Sequence, residues 1–221
     1  MIKNIRAVIF DLDGTLLDSI EDIAGAMNRV LEARGRAPLS IEETKILVGD
    51  GIEEMVRRAF GLRDAGELAD GDIPPIVADY RREYRACWRA HSHPYPGIPG
   101  LLRELARRGV KTAVLSNKSH PFTAVMTTEL FAGFRFDSVR GAVPDVPLKP
   151  DPASALAIAR ELGVEPAACI FLGDTRVDMK TATAAGMFAV GALWGFRTAD
   201  ELRESGAAAL IASPLDLLEW L

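Results

Sequence analysis

Apolar and polar positions follow two different patterns along the chain. Residues 5–10 are apolar except for Arg6, which is typical of a strand buried inside a parallel sheet. Between residues 19 and 91 the apolar positions recur every three or four residues, which predicts helices. From residue 97 onward short apolar runs alternate with helical segments. This order predicts a parallel sheet covered by helices on both faces and interrupted once by an all-helical insertion.

The pattern divides the chain into two predicted domains. Residues 1–18 and 94–221 are expected to form the α/β core, and residues 19–93 a small helical domain. The Pro/Gly-rich stretch at residues 93–97 indicates where the chain returns to the core. The core strands expected after the insertion are residues 111–116, 136–140, 168–172, 188–193 and 208–212.

Three details of the insertion and the C-terminus can be predicted locally. Ser40 and Glu43 have the spacing of a capping box, which predicts that a helix begins there. Residues 64–72 are polar and rich in glycine, so a surface loop is expected. Residues 214–221 are expected to form a terminal helix.

Two carboxylates stand at the end of the first predicted strand. Asp11 and Asp13 are two residues apart, so in extended backbone they project to the same side. Gly14 then permits a tight turn, and Thr15 adds a hydroxyl group. One aspartate placed to attack and another placed to move a proton would suit phosphoryl transfer through an aspartyl-phosphate. The structural alternative is an Asp-Gly turn with a capping aspartate.

Three later stretches also place polar side chains at strand ends, where ligands bind in open α/β sheets. Ser116 and Asn117 could contact phosphate oxygens, or cap the following helix. Lys149 stands immediately before a turn bracketed by prolines. Asp174 and Asp178 are four residues apart after a buried strand, so each could bind a metal or stabilise the start of a helix.

In this order, the four stretches resemble the four motifs of the haloacid dehalogenase superfamily. The resemblance implies a Rossmann-like parallel sheet with a type 1 helical cap that covers the active site and selects the substrate. The matching stretches are Asp11-Leu12-Asp13-Gly14-Thr15, Leu115-Ser116-Asn117-Lys118, Lys149-Pro150-Asp151-Pro152 and Gly173-Asp174-Thr175-Arg176-Val177-Asp178.

The resemblance also implies roles for individual residues. Asp11 is expected to be the nucleophile and Asp13 the general acid and base. Lys149 is expected to bridge the nucleophile and the phosphate. The residues expected to contact the phosphate are Thr15, Ser116 and Asn117.

A magnesium site is implied at the same edge of the sheet. Asp11 and Asp174 would bind Mg²⁺ through carboxylates, Asp13 through its backbone carbonyl, and Asp178 would support them. A carboxylate and a phosphate dianion about 4 Å apart repel by roughly 8 kcal/mol at an effective dielectric constant of about 20. Attack therefore requires a divalent cation, and an all-oxygen site suits Mg²⁺.

The insertion suggests a subclass. Residues 45–51 resemble the cap loop of bacterial phosphoglycolate phosphatases, so Lys45 and Gly49 are expected to contact the substrate. The best candidate substrate is therefore 2-phosphoglycolate. However, Asp50 stands where that subfamily often has asparagine, and an added acid would disfavour an anionic substrate.

The alternatives are a sugar-phosphate phosphatase, a β-phosphoglucomutase-like phosphotransferase and a non-catalytic interaction domain. The mutases usually have Glu-Asp-Ser where this chain has Gly173-Asp174-Thr175, which favours a hydrolase.

Composition excludes several other classes. The chain has 221 residues and a formal net charge of -5, which gives no reason to expect nucleic-acid binding. Cys87 and Cys169 lack the spacing of a zinc site or a disulfide framework, so a reducing compartment is expected. No signal peptide or membrane-spanning segment is apparent. We expect a cytoplasmic enzyme, a monomer or weak homodimer, acting on a small phosphorylated metabolite.

Overall fold

A computed structural model describes residues 4–62 and 68–221 of the protein. The chain forms two compact units, one of Met1–Leu17 with Pro94–Leu221 and the other of Asp18–His93. The predicted domain boundaries lie within one residue of this division. Part of the loop predicted at residues 64–72 lies outside the described residues, and Asp70–Asp72 form a 3-10 turn.

Two sheets contain the described strands. Six strands form a parallel sheet in the order β5-β4-β1-β6-β7-β8, and the short strands β2 and β3 form a second sheet. The strands are β1 (Ala7–Phe10), β2 (Leu17–Asp18), β3 (His93–Pro94), β4 (Lys111–Ser119), β5 (Ser138–Ala142), β6 (Cys169–Gly173), β7 (Phe188–Ala192) and β8 (Ala209–Ile211).

The helices divide between the two units. The helical unit contains α1 (Ile20–Glu32), α2 (Ile41–Leu47), α3 (Ile52–Gly61) and α4 (Ile73–Cys87). The core unit contains α5 (Ile98–Arg107), α6 (His120–Leu130), α7 (Ala153–Leu162), α8 (Arg176–Ala184) and α9 (Ala199–Glu204). Short 3-10 helices cover Pro166–Ala168 and Pro214–Trp220. No helix in the described part of the chain is long and apolar enough to cross a membrane.

The first strand lies at the centre of the large sheet because all of its side chains are apolar. All four residues of β1 are fully buried. It pairs in parallel with β4 and with β6, so that Ile9 lies opposite Ala113 on one side and Phe171 on the other. The carboxyl ends of these three strands therefore meet at one edge of the sheet. The predicted Rossmann-like α/β fold is confirmed.

The helical unit is held together by local capping and by one buried acid. The side chains and backbones of Ser40 and Glu43 form the predicted capping box, with bonds of 2.7 and 3.2 Å. The carboxylate of Asp22 in α1 accepts hydrogen bonds from the backbone N–H groups of His91 and Ser92 and from the Ser92 hydroxyl, at 2.7–3.1 Å. These bonds fix the beginning of α1 to the segment that leaves the unit.

The structure differs from the predictions at one strand end and adds detail at two other places. Strand β4 continues to Ser119, three residues beyond its predicted end, so Ser116 and Asn117 do not directly precede a helix. The terminal helix is a 3-10 helix. The pairing of β2 with β3 was not predicted, because neither segment has a strand pattern of its own. The extended end of β4 and the pairing of β2 with β3 both depend on contacts distant in sequence.

Candidate active site

Asp11 lies immediately after β1 and is almost completely buried. Its backbone N–H donates to the carbonyl of Leu172 at 2.9 Å, which extends the pairing of β1 with β6 by one residue. Its Oδ1 accepts the backbone N–H of Leu12 at 2.7 Å and lies 2.8 Å from the ammonium of Lys149. The strand end therefore fixes both the position and the orientation of this carboxylate.

Lys149 joins two carboxylates. Its Nζ lies 2.8 Å from Asp11 Oδ1 and 2.7 Å from Asp178 Oδ1, and its side chain is only 2% exposed. Burial by itself would lower the pKa of Lys149, but the charges of Asp11 and Asp178 outweigh it and raise that pKa. The lysine is therefore a fixed positive charge within the site.

The side chain of Asn117 supports Lys149. Its Nδ2 donates to the Lys149 carbonyl at 3.0 Å, and its Oδ1 accepts the Lys149 backbone N–H at 2.9 Å. This two-point contact links the end of β4 to the turn that carries the lysine. The sequence predicted a phosphate contact for Asn117, whereas both ends of its amide bind the Lys149 backbone.

Asp174 follows β6 and is fully buried. Its Oδ1 accepts the hydroxyl of Thr15 at 2.8 Å, and its Oδ2 accepts the backbone N–H of Phe196 at 2.8 Å. The indole N–H of Trp194 donates to the Thr15 carbonyl at 3.0 Å, which connects the segment after β7 to the first motif. The Thr15 hydroxyl, predicted as a phosphate contact, is thus bonded to Asp174.

Two glycines make room for the Asp174 carboxylate. A Cβ on Gly14, whose φ is +85°, would lie 2.3 Å from Asp174 Oδ2. A Cβ on Gly195 would lie 2.2 Å from the Cβ of Asp174. Any larger residue at either position would displace this carboxylate.

Both oxygens of the Asp178 carboxylate accept hydrogen bonds. Its Oδ2 accepts the backbone N–H of Thr175 at 3.0 Å and the Thr175 hydroxyl at 2.7 Å, as a cap at the start of α8. Its Oδ1 accepts the Lys149 ammonium. The predicted capping role and the predicted role in the acidic site therefore fall on the same residue.

Three carboxylates converge at this edge of the sheet. Oxygen atoms of Asp11, Asp174 and Asp178 lie within 4.8 Å of one another, and all three side chains are buried. Burial and the charge of Asp178 raise the pKa of Asp11 to about 7. Burial and the charges of Asp178 and Asp11 also raise the pKa of Asp174 well above its ordinary value. The site thus concentrates more negative charge than Lys149 alone can offset.

The donor set fits a divalent metal ion. Three buried carboxylates face one buried ammonium, so the cluster keeps an excess of negative charge when all of its groups are ionised. A cradle made only of oxygen atoms suits a hard cation such as Mg²⁺. The residues that could hold it are Asp11, Asp174 and Asp178.

The carboxylate of Asp13 has a different partner. Its two oxygens lie 3.0 and 2.8 Å from the ammonium of Lys118, and both side chains are about 10% exposed. The backbone N–H of Lys118 in turn donates to the hydroxyl of Ser116 at 3.1 Å. Three of the four aspartates expected at the metal site thus bring their carboxylates into one cluster, whereas the carboxylate of Asp13, expected to contribute only its backbone carbonyl, pairs with Lys118.

The remaining predicted site residues lie in the helical unit. Lys45 in α2 pairs with Glu42 at 2.8 Å, and Gly49 lies in the turn before α3 with a φ of +129°. The carboxylate of Asp50 lies 2.7 Å from Arg58, whose guanidinium also binds Glu54. The charge of Asp50 is therefore partly offset by an arginine that also pairs with Glu54.

The sequence did not predict several of these contributors. Lys118 was part of a recognised motif but received no role. Thr175 stands three residues before Asp178, which is the spacing of a capping box, so it could have been recognised as the cap of α8. Trp194 and Phe196 follow β7 without any motif that would identify them, and one of them acts through its backbone.

Comparison with known proteins gives a consistent result. Residues 5–186 match the haloacid dehalogenase-like hydrolase family. The phosphoglycolate phosphatase of Pseudomonas putida is 36% identical over 195 residues, which cover 86% of this chain and 70% of that protein. Phosphoglycolate phosphatase 1 of Pseudomonas aeruginosa is 33% identical over 214 residues, covering 96% and 78%. A crystal structure from Lactobacillus delbrueckii subsp. bulgaricus superimposes with a TM-score of 0.89 at 29% identity and covers 98% of both chains.

The parallel sheet and the buried acidic site at its carboxyl edge are those of an α/β protein whose candidate active site lies at the strand ends. The chain belongs to the haloacid dehalogenase-like hydrolase family, and within it the enzyme is a phosphatase.

Proposed function

We propose that the protein hydrolyses a phosphomonoester with Mg²⁺ through an aspartyl-phosphate on Asp11, and that 2-phosphoglycolate is its substrate. The observation that carries the proposal is the placement of Asp11 next to Lys149 and within 4.8 Å of two further buried carboxylates. A nucleophilic carboxylate needs nearby positive charge to approach a phosphate, and this site supplies one lysine and a metal-binding set.

The first half-reaction transfers the phosphoryl group to the enzyme. A carboxylate oxygen of Asp11 forms a bond to phosphorus while the ester P–O bond breaks, and Asp13 gives a proton to the leaving alkoxide. The ammonium of Lys149 offsets the negative charge that accumulates on the phosphoryl oxygens.

The second half-reaction releases phosphate. Asp13, now ionised, takes a proton from a water molecule as that water attacks phosphorus, and the bond from phosphorus to Asp11 breaks. Asp11 is thereby regenerated as a carboxylate and Asp13 as an acid. Mg²⁺, which phosphatases of this family generally use, would be held by Asp11, Asp174 and Asp178 and would neutralise the charge between nucleophile and phosphate.

The substrate is proposed from the relatives and from charges in the helical unit. Both Pseudomonas relatives are named for phosphoglycolate. The pairing of Asp50 with Arg58, which also binds Glu54, weakens the objection that an added acid would repel a carboxylated substrate. We propose that Lys45 supplies positive charge for that carboxylate and that the helical unit acts as a substrate-selecting cap.

The proposal is tested by an Asp11→Asn variant assayed with 2-phosphoglycolate and p-nitrophenyl phosphate. We expect loss of hydrolysis of both substrates with retention of the fold, because asparagine cannot form the acyl phosphate. The matched control is Asp200→Asn, which makes the same chemical change at an exposed side chain. Retention of more than about 1% of the wild-type kcat, a loss below about 2.7 kcal/mol, would rule out Asp11 as the nucleophile.

The metal requirement is tested on the same preparations. Chelation with EDTA should abolish activity and added Mg²⁺ should restore it, whereas Ca²⁺, with its looser coordination, should inhibit. Full activity after thorough chelation contradicts the metal site. If wild-type enzyme prefers neutral sugar phosphates to 2-phosphoglycolate, the substrate assignment fails while the phosphatase assignment remains.

A further inference from the structure

The carboxylates at the edge of the sheet fall into two groups. Asp11, Asp174 and Asp178 form the cluster within 4.8 Å, with Lys149 bonded to two of them. Asp13 lies only two residues from Asp11, yet both of its carboxylate oxygens are bonded to Lys118. Lys149 therefore pairs with the cluster, and Lys118 pairs with Asp13.

The position of Lys118 results from the irregular end of β4. The register of β4 against β5 shifts between Leu115 and Ser119, and in this stretch the Ser116 hydroxyl accepts the Lys118 backbone N–H. Consecutive side chains then diverge, because Asn117 binds the backbone of Lys149 while Lys118 binds Asp13. A regular strand ending at Ser116, as the sequence suggested, would not produce this arrangement.

The bond between Lys118 and Asp13 has a fixed geometry. Most ion pairs at protein surfaces are mobile and contribute little. Here both side chains are about 10% exposed and the ammonium contacts both carboxylate oxygens, at 2.8 and 3.0 Å. The pair therefore restricts the rotation of the Asp13 side chain.

We propose that Lys118 is a positioning residue that holds the Asp13 carboxylate apart from the acidic cluster and reserves it for proton transfer. Without the lysine, a carboxylate two residues from Asp11 could turn towards a cation held by the acidic cluster, whereas a proton carrier must face the leaving oxygen. This inference rests on the proposed function, since it assigns a support to the acid of that mechanism.

The experiment compares Lys118→Met and Lys118→Arg with Lys180→Met, a control at an exposed lysine of α8. The substrates are 2-phosphoglycolate, whose alkoxide leaving group needs a proton, and p-nitrophenyl phosphate, whose phenolate does not. We expect Lys118→Met to lower the rate constant for formation of the aspartyl-phosphate, measured in the pre-steady state, by about tenfold to a hundredfold with 2-phosphoglycolate and by less than about threefold with p-nitrophenyl phosphate. KM should change little, and Lys118→Arg should retain more activity on 2-phosphoglycolate than Lys118→Met.

Two further measurements separate positioning from a structural role. The dissociation constant of Mg²⁺, obtained from its effect on the melting temperature, should be unchanged or tighter in Lys118→Met. In an Asp13→Asn background, Lys118→Met should cause no further loss, because the two residues act as a unit. If Lys118→Met does not fold, Lys118→Gln and Lys118→Arg carry the same comparison.

Several outcomes would overturn the inference. Equal losses in the rate of aspartyl-phosphate formation from both substrates, an effect confined to KM, weaker binding of Mg²⁺ or additive losses with Asp13→Asn would each show that Lys118 does something other than orient Asp13. The proposed function has a separate criterion. If Asp13→Asn alone slows aspartyl-phosphate formation from both substrates equally, the acid role of Asp13 fails and this inference fails with it. If Lys118→Met affects both substrates equally and Asp13→Asn does not, the acid role of Asp13 stands and only the inference about Lys118 fails.

Discussion

Two lysines that the sequence marked as functional have opposite environments. Lys149 in the core is 2% exposed at its side chain and bonded to two buried carboxylates. Lys45 in the helical unit is 29% exposed and pairs with Glu42, which is 79% exposed. Lys149 is almost completely shielded from water, so its charge depends on the two carboxylates. Lys45 is partly exposed, so water can solvate its charge in place of Glu42.

The contrast shows how much of a charged residue's role depends on burial. An exposed ion pair contributes about 0–1 kcal/mol, because water solvates both charges nearly as well as they solvate each other. Removing one partner of a buried pair costs about 3–5 kcal/mol, because the other charge is left without compensation. We therefore expect Lys149 to control stability and catalysis together, and Lys45 to affect substrate choice alone.

The largest effect is expected from Lys149→Met, which keeps the length of the side chain and removes its charge. In EDTA the free energy of unfolding, measured in urea, should fall by about 3 kcal/mol or more. With Mg²⁺ the value of kcat should fall by about a hundredfold to a thousandfold, because the charge that stabilises the phosphoryl oxygens is lost. Saturating Mg²⁺ should reduce the stability deficit, since a bound cation would offset the same carboxylates.

Lys180→Met is the matched control for this variant as well, because the same change at an exposed lysine should leave both quantities nearly unchanged. If Lys149→Met were as stable as wild type in EDTA and equally active, the central contrast between buried and exposed lysines would be wrong. If Mg²⁺ does not reduce the stability deficit of Lys149→Met, then Lys149 and the cation do not offset the same carboxylates.

A second, intermediate effect concerns pH. Burial and Asp178 raise the pKa of Asp11 from 3.8 to about 7 in the metal-free protein, and the pKa of Asp174 is raised in the same direction. The folded state therefore binds more protons than the unfolded chain between about pH 4 and pH 7, so its stability falls as the pH rises through that range. A bound Mg²⁺ favours the ionised carboxylates and opposes this decline.

The corresponding measurement is the difference in melting temperature between samples with Mg²⁺ and with EDTA, followed from pH 4.5 to pH 8. The stabilisation by Mg²⁺ should increase up to about pH 7 and then level off, while groups distant from the metal cancel in the difference. A stabilisation that is constant across this range would show that the clustered acids do not hold the cation.

The smallest effect on stability is expected from Lys45→Ala, at most about 0.5 kcal/mol, because its partner is exposed. Under the proposed function this variant should nevertheless lower kcat/KM for 2-phosphoglycolate by about tenfold to a hundredfold, the worth of a charged hydrogen bond of about 1.5–3 kcal/mol. Activity on p-nitrophenyl phosphate, which has no carboxylate, should barely change.

Glu42→Ala separates the loss of the ion pair from the loss of the lysine. It removes the same pair but keeps Lys45, so kcat/KM for 2-phosphoglycolate should not fall. If Lys45→Ala lowers activity on both substrates together, or on neither, then Lys45 does not select the substrate.

The sequence by itself determined the sheet and the acids at its edge. A short run of apolar residues followed by a turn is typical of a buried strand, and the polar residues that follow it then lie at the carboxyl end of that strand. This argument located Asp11 and Asp174 without reference to any partner. The capping pattern at Ser40 and Glu43 was predictable for a similar reason, because both of its bonds lie within four residues.

The tertiary structure alone decided which side chains meet. Asn117 binds the backbone of a residue 32 positions away, and Lys118 binds an acid 105 positions away. Trp194 donates to Thr15 across 179 positions. Such contacts depend on strand register, on the irregular end of β4 and on the turns after each strand. These features arise from packing across the sheet, whereas a periodic pattern records only which residues are buried.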